Sequence, residues 1–183
     1  MPVKTCNPNN IEEWGFSNVP AKAIKYSPVT SCITVTVALR PQTTKEVRGG
    51  YPQLMGAHFV MTMGNNDVQS MLEQFTSHWR GTVAGVYMIG DIAVWSDESN
   101  IWKNYKEIFK KIVAGRAGVE TRYWILYKSG QKGARGAIIE MEVRGDNIRV
   151  IIDGFEWTSD ANGKDGPTCR SVEEAINSAD SSF

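Results

Sequence analysis

The sequence predicts an α+β fold: a largely antiparallel sheet with two main amphipathic helices packed on one face and a short C-terminal helix. Residues 32–39 alternate strictly, as a strand does. The dipeptides Gly90-Asp91 and Gly145-Asp146 each sit between apolar runs, where a tight hairpin turn is favoured. Residues 68–79 and 101–113 place apolar side chains at helical spacing. The 183 residues, 42% of them hydrophobic, suit one domain with a sizeable core and exclude wholesale disorder. The expected division is an N-terminal arm over residues 1–28 and a single α+β domain over residues 29–183.

Pro8, Pro20 and Pro28 punctuate the arm, so regular structure is not expected to run far there. Trp14 and Phe16 are its docking aromatics. Ile33, Val35, Val37 and Leu39 then share one strand face and Thr34 and Thr36 the other, the pattern of a half-buried strand. Residues 40–56 contain Pro41, Gly49, Gly50, Pro52 and Gly56 and read as a long, mobile loop. His58 to Met63 reads as a short second strand.

Val68, Met71, Leu72, Phe75 and Trp79 form a helical stripe, with Asn66 or Asp67 as its cap and Gly81 as its end. Residues 86–89 and 92–95 then flank Gly90-Asp91 as a hairpin. A second helix, from Ile101 to Ala114, carries a wide apolar face that includes Trp102, Tyr105, Ile108, Phe109 and Ile112. Residues 122–128 form another strand, and residues 129–136 a Gly-rich basic loop. Residues 137–144 and 147–152 form a second hairpin. Ile139, Met141 and Val143 there share a face with Ile148, Val150 and Ile152, while Glu140 and Glu142 face Arg149 across the strands. Residues 158–168 read as a polar loop. Ser171-Val172-Glu173-Glu174 is a capping box that opens the terminal helix.

Charge is distributed unevenly. Twenty basic and twenty acidic residues cancel overall. Residues 101–136, however, hold nine basic side chains against two acidic ones, and residues 137–183 hold four against ten. Such a split admits three meanings: a surface for a polyanion, a basic face that meets the acidic face of another copy, or neutralisation within one fold. The candidate binding residues are Lys103, Lys106, Lys110, Lys111, Arg122, Trp124, Lys128, Lys132 and Arg135. Aromatic side chains among cations suit single-stranded nucleic acid. Most of these aromatics fall on apolar stripes and read as core. Trp124 shares its strand face with Arg122 and Lys128 and is the best candidate for a stacking contact.

The remaining motifs exclude more than they propose. Cys6, Cys32 and Cys169 are few, odd in number and without metal spacing, which fits a reducing compartment, cytoplasmic or nuclear. The polar N-terminus is not expected to be a signal peptide, and no apolar run approaches the length of a transmembrane segment. His58 and His78 have no evident partners, though they would be the first substitutions to make in an enzyme. Residues 160–171 depart from a calcium loop at the third ligand, the glycine and the closing acid. The loop over residues 129–136 could cradle a phosphate through backbone N–H groups with Lys132 or Arg135, but it lacks Walker spacing. No nucleophile elbow, cofactor motif or metal motif is found.

Over residues 58–129 the expected order is strand, helix, hairpin, helix, strand. The hairpin ends in Gly90-Asp91-Ile92-Ala93-Val94-Trp95 and the last strand in Tyr127-Lys128-Ser129. This order resembles the second half of the cap-binding translation initiation factor 4E family. The resemblance implies a nucleotide or cap-like ligand clamped between aromatic rings, with Trp95 in the position of a supporting tryptophan. No residue here matches the two clamping rings or the acid, and Tyr87-Met88-Ile89 stands where basic residues would help.

The leading expectation is a non-catalytic interaction or assembly protein whose basic face over residues 101–136 contacts an acidic surface of another copy, nucleic acid or an anionic membrane. A homo-oligomer and a viral structural or accessory role fit that description. A cap-like ligand domain and an enzyme of another family are the alternatives.

Overall fold

The computed structural model describes residues 2–41, 50–60, 62–90, 120–125, 136–157 and 168–170. In chain order the elements are β1 (Lys4–Cys6), β2 (Gly15–Ser17), β3 (Ala23–Lys25), β4 (Ile33–Arg40), β5 (Gln53–Phe59), α1 (Asn65–Ser77), β6 (Thr82–Gly90), β7 (Glu120–Ile125), β8 (Ile139–Arg144), β9 (Asn147–Ile152), β10 (Phe155–Trp157) and β11 (Thr168–Arg170). A seven-stranded sheet has the order β1-β2-β5-β4-β6-β7-β11, and a four-stranded sheet the order β10-β9-β8-β3.

The protein is therefore mainly β, and the α+β expectation with two main helices and a C-terminal helix is corrected. Among the described residues α1 is the one helix. The helix expected over Ile101 to Ala114 and the one opening at Ser171 lie outside the described residues. The error came from the segments read as irregular. The proposed arm supplies β1, β2 and β3, and the proposed loop over residues 40–56 contains the first half of β5. Prolines in the first 28 residues do not keep the chain out of the sheets; three-residue strands fit between them. Ile11, Phe16, Ile24 and Tyr26 from this segment are all in the core.

β4 is the organising strand. It pairs antiparallel with β5 on one side and with β6 on the other, with a register shift between Ala38 and Leu39. β5 and β6 consequently run parallel, and α1 is the crossover between them. The sheet is mixed, because β1 pairs parallel with β2 and β6 parallel with β7. Over residues 85–90 both edges of β6 are taken, by β4 and β7, and residues 92–95 of the hairpin expected around Gly90-Asp91 lie outside the described residues.

Both faces of β4 are covered, not one as its alternation suggested. Ile33, Val35 and Val37 are fully buried, and so are Thr34 and Thr36. On the Val35 face Phe16 pairs in register with Ala57, and its ring meets Phe75 of α1 at 6.1 Å. On the Thr36 face the Tyr26 hydroxyl reaches Thr36 Oγ1 at 2.7 Å. Tyr26 follows β3 directly, and its N–H donates to Ile139 O in β8. The layers are thus helix, seven-stranded sheet and four-stranded sheet, with one apolar cluster running through them.

Helix α1 buries Val68, Met71, Leu72 and Phe75, the expected stripe. It begins two or three residues before the expected caps. Gly64 is the N-cap, and the Asp67 carboxylate accepts the Gly64 N–H at 3.2 Å. Its outer face is polar, with Gln69 bonded to Glu73 and Gln74 to Ser70 one turn apart. The helix stops at Ser77, and Gly81, at φ +95°, instead lets β6 start close against Arg40 O.

The hairpin of β8 and β9 forms around Gly145 in the expected register, with Glu142 opposite Arg149. Ile139, Met141, Val150 and Ile152 are buried, and Val143 and Ile148 pack at the rim of the same cluster.

Candidate functional site

Two places bear on function: the charged surface the sequence singled out, and a side-chain cluster it did not. Lys103, Lys106, Lys110, Lys111, Lys128, Lys132 and Arg135 lie outside the described residues, as does Trp95. Arg122 and Trp124 are on β7, in register with Tyr87 and Ile89 of β6, and Trp124 is also paired with Cys169 of β11. β7 is thus an inner strand of the sheet.

The acidic side of the charge split is better defined. Each acid of residues 137–157 has an internal partner. Glu140 pairs with Lys25 at 2.6 Å, and Asp146 with Arg40 at 3.0 Å. Glu142 receives Arg149 at 2.6 Å and Arg144 at 3.0 Å, and Arg149 also holds Glu156 at 2.6 Å. Asp153 Oδ1 accepts the Ile138 N–H at 2.8 Å. The Glu142 carboxyl is held below its ordinary range, first by the hydrogen bond from Arg149. Among the described residues the cations in these pairs come from residues 25, 40, 144 and 149.

The second place is built where the N-terminal segment crosses the sheet. Glu13, Cys32 and His58 each bring one ligand-type atom to within 4.8 Å of the other two. β5 carries His58, paired with Thr34 of β4. Cys32 stands two residues before Thr34, diagonal to His58 across the strand pair, which brings their side chains within reach. Glu13 arrives on a turn closed by the Gly15 N–H donating to Glu12 O at 3.0 Å. The Trp14 N–H donates to His58 O at 3.1 Å, so the turn is fastened to the histidine's own backbone. Trp14 takes φ 63° to do this, a conformation that a bulky side chain rarely adopts.

His58 is 0% exposed and Cys32 1%, whereas Glu13 reaches solvent. His58 Nδ1 lies 3.3 Å from Ile11 O and 3.4 Å from Ser27 Oγ. A carbonyl can only accept, so Nδ1 carries the proton and Nε2 the lone pair. Nε2 is buried and has no hydrogen-bond partner. Burial holds the His58 pKa below its ordinary value, and the Ile11 carbonyl and Glu13 oppose that in part. The Cys32 thiol donates to Glu13 Oε1 at 3.6 Å. Burial, then the Glu13 charge, push its pKa up to about 12. A buried thiol that keeps its proton is a poor nucleophile.

His78 is elsewhere. It caps the C-terminus of α1, and its ring packs on Phe16 at 5.7 Å. Cys32 and Glu13 carry no functional signal in the sequence because the residues are far apart along the chain. The one legible signal was that Cys32 continues the Thr34–Thr36 face; the register that places His58 beside it is not written locally.

No protein-family model matches the chain, and neither the curated proteins nor the solved structures contain a match to it. The cap-binding resemblance therefore receives no support from a solved fold. No helix among the described residues is long and apolar enough to cross a membrane.

Proposed function

We propose that the protein is a non-catalytic interaction protein whose basic stretch over residues 101–136 binds nucleic acid, single-stranded RNA in the first instance. The supporting observation is the set of internal ion pairs on residues 137–157. Acids already held by Lys25, Arg40, Arg144 and Arg149 are poor counter-charges, whether for the basic stretch of the same chain or for that of another copy. With those acids committed elsewhere, the surplus of seven positive charges over residues 101–136 favours an anion from outside. Trp124, the aromatic placed among those cations and not on an apolar stripe, favours exposed bases over a smooth anionic membrane. A reducing compartment, cytoplasmic or nuclear, fits this partner and the free thiols of Cys6 and Cys32.

The test is size-exclusion chromatography with light scattering, at low and high salt, with and without a single-stranded RNA, followed by anisotropy titration. The expected result is an RNA complex at low salt whose log affinity falls with log salt at a slope steeper than about −2, since each neutralised phosphate contributes about −0.7. Lys110→Glu with Lys111→Glu should weaken it markedly. Absence of a complex at low salt would defeat the proposal. A protein mass that doubles at low salt without RNA would move the reading to self-assembly, and binding to anionic vesicles alone would move it to a membrane surface.

A further inference from the structure

We propose that Glu13, Cys32 and His58 form a Zn²⁺ site, with the Glu13 carboxylate, the Cys32 thiolate and the His58 imidazole as its three protein ligands. The donor set of one sulfur, one nitrogen and one carboxylate oxygen is the chemistry that zinc takes, and it is a poor match to calcium or magnesium, which prefer oxygen alone. Tetrahedral zinc with ordinary bond lengths holds neighbouring ligand atoms about 3.4–3.6 Å apart. Cys32 Sγ and Glu13 Oε1 already stand at 3.6 Å, and the three ligand atoms all lie within 4.8 Å of one another. The remaining separations exceed that tetrahedral spacing by at most about 1.4 Å.

The imidazole is prepared for the role. Ligating histidines almost always donate their second ring N–H to a carbonyl or carboxylate, which fixes the tautomer. Here Ile11 O stands 3.3 Å from Nδ1. That leaves a lone pair on Nε2, a nitrogen fully buried without a partner. An unsatisfied polar atom of this kind in a core calls for an explanation, and a cation beside it supplies one. Binding exchanges the Cys32 proton for the metal, so one proton leaves to solvent for each ion bound and no electron is transferred. Glu13 is solvent-exposed, so the fourth coordination position is taken by water from that side. The ion would tie the turn at residue 13 to β5 and to the residue preceding β4, fastening the N-terminal segment to the large sheet.

The test uses the full chain, freed of metal with a chelator and titrated with Zn²⁺ alone against a chromophoric competitor, and separately with Co²⁺ as a spectroscopic stand-in. One ion per chain is expected, with the Co²⁺ form showing tetrahedral ligand-field bands and thiolate charge transfer. Glu13→Ala changes an exposed side chain and leaves the core intact, so it separates ligation from folding; it should weaken Zn²⁺ binding at least tenfold. Cys32→Ser should abolish the thiolate charge transfer, while Cys6→Ser and Cys169→Ser should leave it unchanged. Failure to bind Zn²⁺ stoichiometrically overturns the proposal. So does affinity that is the same in Glu13→Ala and Cys32→Ser as in the parent chain.

Discussion

The Tyr26 and Thr36 hydroxyls meet 2.7 Å apart, both fully buried, at the seam between the four-stranded and seven-stranded sheets. Tyr26 Oη also donates to Val35 O at 3.1 Å, so Thr36 is the donor in the hydroxyl pair. Burial pushes the phenol above its usual range. Tyr26→Phe strips Thr36 of its acceptor without changing the ring. The expected cost is about 1–3 kcal/mol, the penalty for a buried donor left unmatched. Thr36→Val in the Phe background removes the orphan, so the double variant should be no less stable than Tyr26→Phe alone. Urea unfolding of the four proteins of the cycle checks this, and strictly additive losses would contradict it.

Gly56 lies under the same tyrosine. A Cβ there would overlap Tyr26 Oη and come 2.7 Å from Ile11 Cδ1, both in the core. Gly56→Ala should therefore destabilise by about 1–3 kcal/mol through overpacking. Gly154→Ala is a different case: nothing lies within 4 Å of its Cβ, and only its φ of +81° opposes the change. Thermal unfolding of each variant should rank Gly56→Ala as the more damaging.

What could be read in advance was local. The β8–β9 hairpin announces itself by alternation on either side of Gly145-Asp146, and with it the Glu142–Arg149 pair. Helix α1 announces itself by Val68, Met71, Leu72 and Phe75. β5 did not, because Pro52 and Gly56 look like loop residues; Gly56 is instead the place where a tyrosine from the other sheet must approach the backbone. Strands β1, β2 and β3 are three residues each, too short to show a period. The cluster of Glu13, Cys32 and His58 depends on the pairing of β4 with β5 and on a turn fastened to His58 O, neither of which leaves a mark in the neighbouring sequence. The charge split was plain in composition, but which cations answer which acids required coordinates.

That answer has a pH signature. Arg149 depresses the Glu142 carboxyl below its ordinary value of 4.5. A depressed carboxyl stabilises the fold fully above its unfolded pKa, and the contribution disappears as pH falls through the folded value. Glu142→Gln should thus lower the unfolding midpoint at pH 7, and the difference should narrow below pH about 4.5 and vanish where the parent carboxyl is itself protonated. Added salt at pH 7 should also narrow it, because these half-buried groups still reach solvent. A difference independent of both pH and salt would mean that packing, not charge, makes the pair matter.

The helix layer can be tested at Phe75. Its ring is fully buried, faces Phe16 of the sheet at 6.1 Å and meets Trp79 edge-on at 5.3 Å. It is therefore one of the side chains, with Val68, Met71 and Leu72, through which α1 joins the core. Phe75→Ala removes the ring from both contacts and leaves a void between helix and sheet, at an expected cost of about 3–5 kcal/mol. Phe75→Leu keeps most of the volume and should cost less, while Gln74→Ala, on the outer face of the same turn, should stay within about 0.5 kcal/mol. Denaturant unfolding followed by tryptophan fluorescence and far-ultraviolet circular dichroism distinguishes two routes to a loss. If helix and sheet signals move together in Phe75→Ala, the crossover helix and the sheet are one cooperative unit. A helix signal that melts first, with the sheet transition unmoved, would show that β4 and its neighbours do not depend on this cover.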